Sequence, residues 1–201
     1  MADHKNILTT YGRLSFPDLA EPRSFEGSAP KFGAALLFPK PENIGKKRPD
    51  GEPFSPWNDA AKHDLSEIEQ VIEEVIAARW PKQVPKKLRQ PLKDGDDETW
   101  DGYAGHLFIR SSSKRPPKLI DTRKQPVTGE EIEKVFYPGC WVRAVINPFT
   151  YDKAGNVGVS FGLQALQFVR NDNPFVGLNT DEAFDELPED DLAPDELDGL
   201  E

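Results

Sequence analysis

The feature that most restricts this fold lies late in the chain, where two alternating apolar runs flank a turn. Cys140 to Asn147 reads as a strand, Tyr151-Asp-Lys-Ala-Gly-Asn156 as a turn, and Val157 to Leu163 as the returning strand. In the second run Val157, Val159, Phe161 and Leu163 alternate with Gly158, Ser160 and Gly162. That two-residue period is the mark of a strand with one buried face, and the turn makes the pair an antiparallel hairpin. In the first run Val142, Ala144 and Ile146 suit the interior, which turns Trp141 and Arg143 outward together. The competing reading leaves Trp141 packed under the helix between Trp57 and Trp80.

Three further strands are expected upstream. Ile7 to Phe16 places Leu8, Thr10, Gly12, Leu14 and Phe16 on one face, with Tyr11, Arg13 and Ser15 on the other, and ends at Pro17. Lys31 to Phe38 is apolar on both faces and closed by Pro39. His106 to Ser111 puts Leu107 and Ile109 on one face and His106, Phe108 and Arg110 on the other. Between them, Lys40 to Pro56 shows no periodicity. Ser55-Pro56 and the caps Asn58 and Asp59 announce a helix, in which Ala61, Leu65, Ile68, Ile72, Val75 and Arg79 form one stripe before Pro81. Thr128-Gly-Glu-Glu131 has the pattern of a capping box for a short helix through Val135. Five strands with long insertions predict a mainly β fold, a five-stranded oligonucleotide-binding (OB-fold-like) barrel with inserted helices. Pattern alone does not separate this from another small α+β fold.

Charge divides the chain further. The formal net charge is −10, yet residues 181–201 hold eleven acidic residues and no basic one, leaving 24 acidic against 25 basic in the other 180. Such a segment, with two prolines and only sparse Phe184, Leu187, Leu192, Leu197 and Leu200, is too polar to pack a core. Residues 179–201 are therefore expected to form a disordered acidic tail, and residues 1–178 the barrel domain. Within the domain, Arg79 to Lys93 carries six basic residues and no acidic one, and Arg110 to Lys124 carries six against Asp121 alone. Proline-containing basic runs suit loops that follow a phosphate backbone, although a solvated surface would read the same way. One cysteine, Cys140, excludes an internal disulfide and a Cys-rich zinc site. No apolar run is long enough to span a bilayer, and MADHKNILTT lacks a secretory signal.

Enzymatic constellations are thin. His4, His63 and His106 are scattered, Cys140 sits in a strand, and no Walker-type lysine exists. Asp94, Asp96, Asp97, Glu98 and Asp101 form the one dense acidic cluster in the body, read as a solvated turn. Its alternative is the magnesium site of a metal-dependent nuclease. Aromatic residues beside cations suggest instead a stacking surface for bases. Trp141, Arg143, Phe108 and Arg110 lead it, with Phe149, Tyr151 and Lys153 in the hairpin. Lys114, Arg115, Lys86, Lys87, Arg89 and Arg13 would supply phosphate contacts.

The runs Tyr11-Gly-Arg-Leu-Ser-Phe16, Pro91-Leu-Lys-Asp-Gly-Asp-Asp-Glu98, Tyr103-Ala-Gly-His106, Tyr137-Pro-Gly-Cys-Trp-Val-Arg-Ala144 and Tyr151-Asp-Lys-Ala-Gly-Asn-Val-Gly-Val-Ser-Phe-Gly-Leu163 resemble the tailed-phage single-stranded DNA-binding proteins, formerly a domain of unknown function, with the Enterobacter phage branch nearest. The resemblance covers roughly residues 7 to 170 and rests on the order of the motifs. It implies an oligonucleotide-binding barrel without catalysis or cofactor, acting in phage DNA replication or recombination in the cytoplasm of an infected bacterium. Single-stranded DNA is the implied ligand, with duplex DNA left open and no membrane involved. The tail, through Asp181, Glu182, Phe184, Asp190, Asp191, Leu197 and Leu200, would compete for the DNA site and recruit phage or host replication and recombination proteins. The remaining alternative is a non-DNA interaction protein whose tail mimics nucleic acid.

Overall fold

Five long strands close into a ring. The structure, a computed structural model, describes residues 6–24, 28–153 and 155–175. In chain order the strands are β1 (Ile7–Leu8), β2 (Gly12–Arg23), β3 (Lys31–Pro39), β4 (Leu92–Asp94), β5 (His106–Ser113), β6 (Lys118–Ile120), β7 (Trp141–Lys153) and β8 (Asn156–Arg170); the helices are α1 (Ser66–Arg79) and α2 (Glu131–Val135). Antiparallel pairs link β7 to β2, β2 to β3, β3 to β5 and β7 to β8. A parallel contact of β5 with β8 closes the ring. This is the five-stranded barrel expected, with β1, β4 and β6 added as short outer strands.

The interior is filled by Leu14, Leu36, Phe38, Ile109, Val142, Ala144, Ile146, Phe161 and Leu163, all buried. Each Leu, Ile or Phe so buried contributes roughly 1.5–3 kcal/mol. Helix α1 lays Ile68, Ile72 and Val75 on this core and packs against β7 and β8. Its first turn starts later than the caps at Asn58 and Asp59 imply. Asp59 instead caps a separate 3-10 turn, Ala60–His63, by accepting the Ala61 N–H at 3.1 Å. Helix α2 forms, but no side chain caps it, so the capping-box hydrogen bond is absent.

Several strands run past their predicted ends. β2 continues through Pro17 to Arg23, where the proline falls in a register slip against β3, and β7 continues through Pro148 to Lys153, paired beyond Ile146 with β8 alone, so that a proline, which has no N–H to give, is tolerated at each point. β8 extends to Arg170 along β6 and β7. The Lys40–Pro56 loop has a fixed course: Asn43 Nδ2 donates to the Gly105 carbonyl, Phe54 N–H to Lys46, and Arg48 is buried.

After β8 the chain turns back, and residues 171–175 lie across the β2–β7 end of the barrel. Arg13 is buried there at 2% exposure, with Nε donating to the Gly139 carbonyl at 3.0 Å and Nη2 to the Asn173 carbonyl at 2.5 Å. Burial pulls its pKa down to about 10, against the opposing attraction of Asp172. Asp172 lies 3.6 Å from Arg13 and 3.8 Å from buried Arg48, and accepts the Trp141 indole N–H at 2.7 Å.

His106 is fully buried at the start of β5, with Nδ1 against the Ala104 carbonyl at 3.0 Å. Burial lowers its pKa to about 4, against about 6.5 for an unfolded histidine. Between those values the unfolded chain binds the proton and the folded chain does not. Stability therefore falls as pH drops through this window, by about 3 kcal/mol from this group alone. Urea unfolding at pH 7 and pH 4.5 should show that loss, and His106→Leu should flatten the slope whatever its own effect at pH 7.

Candidate nucleic-acid interface

The outer face of β3 and β5 carries a groove of about 460 Å3, and its making begins with an irregularity in β2. Register slips between Ser15 and Asp18, where Phe16 adopts φ +45° immediately before Pro17. A non-glycine residue in this left-handed region is strained, and the bulge it makes overturns the expected alternation. Leu14 remains in the core while Phe16, two residues on, is 49% exposed over the groove.

Trp100 stands opposite. It lies on the loop after the acidic turn, 37% exposed, with its ring edge-on to Phe16 at 5.4 Å between centroids. The Arg110 guanidinium sits 4.4 Å from the Trp100 ring centre. Beneath them Tyr103 packs edge-on to Trp100 at 5.1 Å and to Phe108 at 4.9 Å. Phe32, Ala34, Ser111, Ser112 and Ser160 complete a floor of small and apolar side chains. Lys31 and Arg23 line one end, Arg23 paired with Asp18 at 3.2 Å. Phe32 is paired with Ser113, so exposed Lys114 and Arg115 follow directly at the same end.

At the other rim rises the β7–β8 hairpin. Phe149 pairs with Ser160 and Tyr151 with Gly158, on the outer face. The basic loop reaches the same place. Arg89 donates its N–H to the Val157 carbonyl at 2.9 Å and accepts from Val159 at 3.1 Å, carrying exposed Lys86 and Lys87 with it. Exposed aromatic faces between cationic rims are what a sequence-tolerant single-strand site requires.

The predicted site is thus partly assembled. Arg110, Phe149, Tyr151, Lys86, Lys87, Arg89, Lys114 and Arg115 surround this face. Trp141 does not: it is fully buried, as the competing reading had it, but edge-on to Trp57 at 5.1 Å and beside His63 rather than under the helix itself. The segment preceding α1 covers that face of β7. Phe108 is fully buried beneath Tyr103, so its outward assignment is also corrected. Arg13 is committed to the barrel end. Arg143 donates to Gln167 at 2.9 Å on the β6 side, away from the groove. The Lys153 side chain, and tail residues Asp181, Glu182, Phe184, Asp190, Asp191, Leu197 and Leu200, lie outside the described residues.

Sequence reasoning missed Phe16, Trp100, Lys31 and Phe32. A tryptophan within a charged turn, with no apolar neighbour to bury it, was the available signal for Trp100.

The acidic cluster has another use. Lys40 Nζ donates to Asp94 at 2.8 Å and to Asp96 at 2.5 Å, while Asp96 also accepts the Gly105 N–H at 2.6 Å. The Lys40 hydrogen bonds hold both carboxyls below the usual aspartate range. Among the described residues no three His, Cys, Asp or Glu side chains are placed to hold a metal ion.

The family profile described as "Enterobacter phage Enc34, ssDNA-binding protein" matches residues 54–195. A curated relative, "Putative protein p50" of Acyrthosiphon pisum secondary endosymbiont phage 1, is 33% identical, covering 87% of this chain and 90% of the relative. The solved single-stranded DNA-binding protein of bacteriophage Enc34 in complex with ssDNA shares the fold at a TM-score of 0.66 and 23% identity, over 85% of this chain and 89% of that one. The gp2.5 single-stranded DNA-binding protein of bacteriophage T7 aligns at a TM-score of 0.54 and 15% identity, over 94% and 98%.

With Lys40 between the two aspartates, millimolar magnesium is expected to leave the melting temperature unchanged and to support no cleavage of single- or double-stranded DNA. A chelator-reversible rise in Tm would reveal an ion at the turn.

Proposed function

The chain belongs to the phage Enc34 single-stranded DNA-binding protein family, and from that membership we propose that it binds single-stranded DNA along the Trp100 groove with little regard to sequence. The observation that carries this reading is the pairing of Trp100, Phe16 and Arg110 on the β3–β5 face, the face oligonucleotide-binding barrels present to a strand. Bases stack on Phe16 and Trp100, and Phe149 and Tyr151 extend the aromatic track up the hairpin. Lys31, Lys114 and Arg115 at one end, and Lys86, Lys87 and Arg89 at the other, hold phosphates. No single base is selected, because the polar groups of the floor are serine hydroxyls, which donate or accept as needed, and the rest is apolar. The role is that of a binding protein rather than a catalyst, protecting and organising single strands during phage replication and recombination. We place it in the cytoplasm of the infected bacterium; no described helix is long and apolar enough to cross a membrane.

The domain is taken as residues 1–178 and the acidic tail as 179–201. Phe175, the last described residue, packs beside the loop that carries Trp100. As a coil, the 26 residues beyond it span roughly 25–30 Å, far enough for their carboxylates to lie along the groove. A tethered polyanion competes there at high effective concentration, and the strand that displaces it frees Phe184, Leu197 and Leu200 for partner proteins.

Two measurements follow. Trp100→Ala should cost about 1–3 kcal/mol of binding to a mixed-sequence oligonucleotide, roughly 5- to 150-fold, whereas Arg143→Ala should leave affinity unchanged in the same anisotropy titration. Removing residues 179–201 should tighten binding most at low salt, where the tail's charge is least screened; weaker binding at every salt concentration would contradict the competitive tail.

A further inference from the structure

The loop that carries Trp100 is held at two points. At its base, Asp96 is fixed by Lys40 and by the Gly105 N–H. Its tip is held by the segment that follows β8. Gly102 has φ +80°, and the Phe175 ring occupies the space where a side chain at Gly102 would stand. The Tyr103 N–H donates to the Trp100 carbonyl at 3.2 Å, closing the turn. Tyr103 is buried with Ala35, Leu37 and Phe108, and Phe175 packs against that same cluster.

Phe175 is itself locked from behind. Its N–H donates to the Pro138 carbonyl at 3.1 Å, and its ring lies 4.1 Å from the Arg13 guanidinium carbon. Arg13 grips the Asn173 carbonyl, and Asp172 receives the Trp141 indole. The Tyr137 hydroxyl donates to the Asp172 carbonyl at 2.9 Å. Gly139, at φ +108°, lets the backbone of residues 173–175 lie directly on it. Phe175 does not line the groove, yet this line of contacts ends two residues from Trp100.

We propose that Phe175 is a positioning residue for Trp100: by filling the space over Gly102 it holds the Gly102–Tyr103 turn so that the indole stands over the groove against Arg110. Residues 171–175 are then a brace belonging to the binding domain, chemically distinct from the acidic segment that follows. The inference rests on the groove being the DNA site. It also explains why buried Arg13, a cation in a DNA-binding chain, is turned inward: it anchors the brace.

The test uses the full-length protein and a fluorescent mixed-sequence oligonucleotide, with Phe175→Ala, Phe175→Tyr, Gly102→Ala and Trp100→Ala, and the Phe175→Ala/Trp100→Ala pair. Phe175→Ala should weaken binding about tenfold while melting remains cooperative, and Phe175→Tyr should restore it. In the Trp100→Ala background Phe175→Ala should cost nothing more. Gly102→Ala, which expels the ring from the other side, should reproduce the defect and serves if Phe175→Ala does not fold. Wild-type affinity in folded Phe175→Ala, or full additivity with Trp100→Ala, overturns the brace. If Trp100→Ala itself binds as wild type, the groove reading fails first and the brace with it.

Discussion

The architecture depends on a parallel contact only two residue pairs long. Ser111 with Phe161 and Ser112 with Gly162 are the whole of the β5–β8 pairing that closes the barrel. Toward the start of β5 the two strands diverge, and their backbone groups need other partners. The chain from Arg89 to Asp94 supplies them, with Arg89 bridging to β8 around Gly158 and Leu92–Asp94 pairing with β5 at Leu107–Ile109. The insertion before β5 is thus part of the barrel wall. Because that wedge is the end of the basic loop, closing the barrel also delivers Lys86, Lys87 and Arg89 to the rim of the groove.

Burial decides which cations are available to a ligand. Arg13 and Arg48 are turned inward and share Asp172, and Lys40 is engaged with Asp94 and Asp96. Arg110, by contrast, lies exposed against Trp100. Membership in a DNA-binding family therefore does not make every arginine a phosphate contact. Phe16 carries the same lesson for aromatics: a single strained residue before Pro17 moves a ring from the expected core face out over the groove.

The hairpin, the five principal strands and the main helix were legible because each follows a simple period over many residues. Exposure was not. Parity along β5 and β7 assumed one solvent face, but the segment around Trp57 and His63 covers Trp141, and Tyr103 covers Phe108. Both covers come from residues distant in sequence, whose course no local pattern reveals. Phe16 was misplaced because a bulge shifts parity by one residue. Trp100 belongs to no periodic run, so its place over the groove follows from the course of the loop and not from any local pattern. The expected exposure of Arg110, Lys86, Lys87, Arg89, Lys114 and Arg115 holds, because a run of charges stays at the surface whatever the register.

On the proposed reading, single-stranded DNA crosses the Phe16–Trp100–Arg110 face of the barrel. Ultraviolet crosslinking of a thymidine-rich oligonucleotide, followed by mass-spectrometric mapping of the modified peptides, tests it most directly. Adducts are expected on Phe16 and Trp100, with weaker ones on Phe149 or Tyr151, all lost when unlabelled single strand is added in excess. Adducts confined to peptides around Trp57 or Arg143, with the groove unmodified, would contradict it.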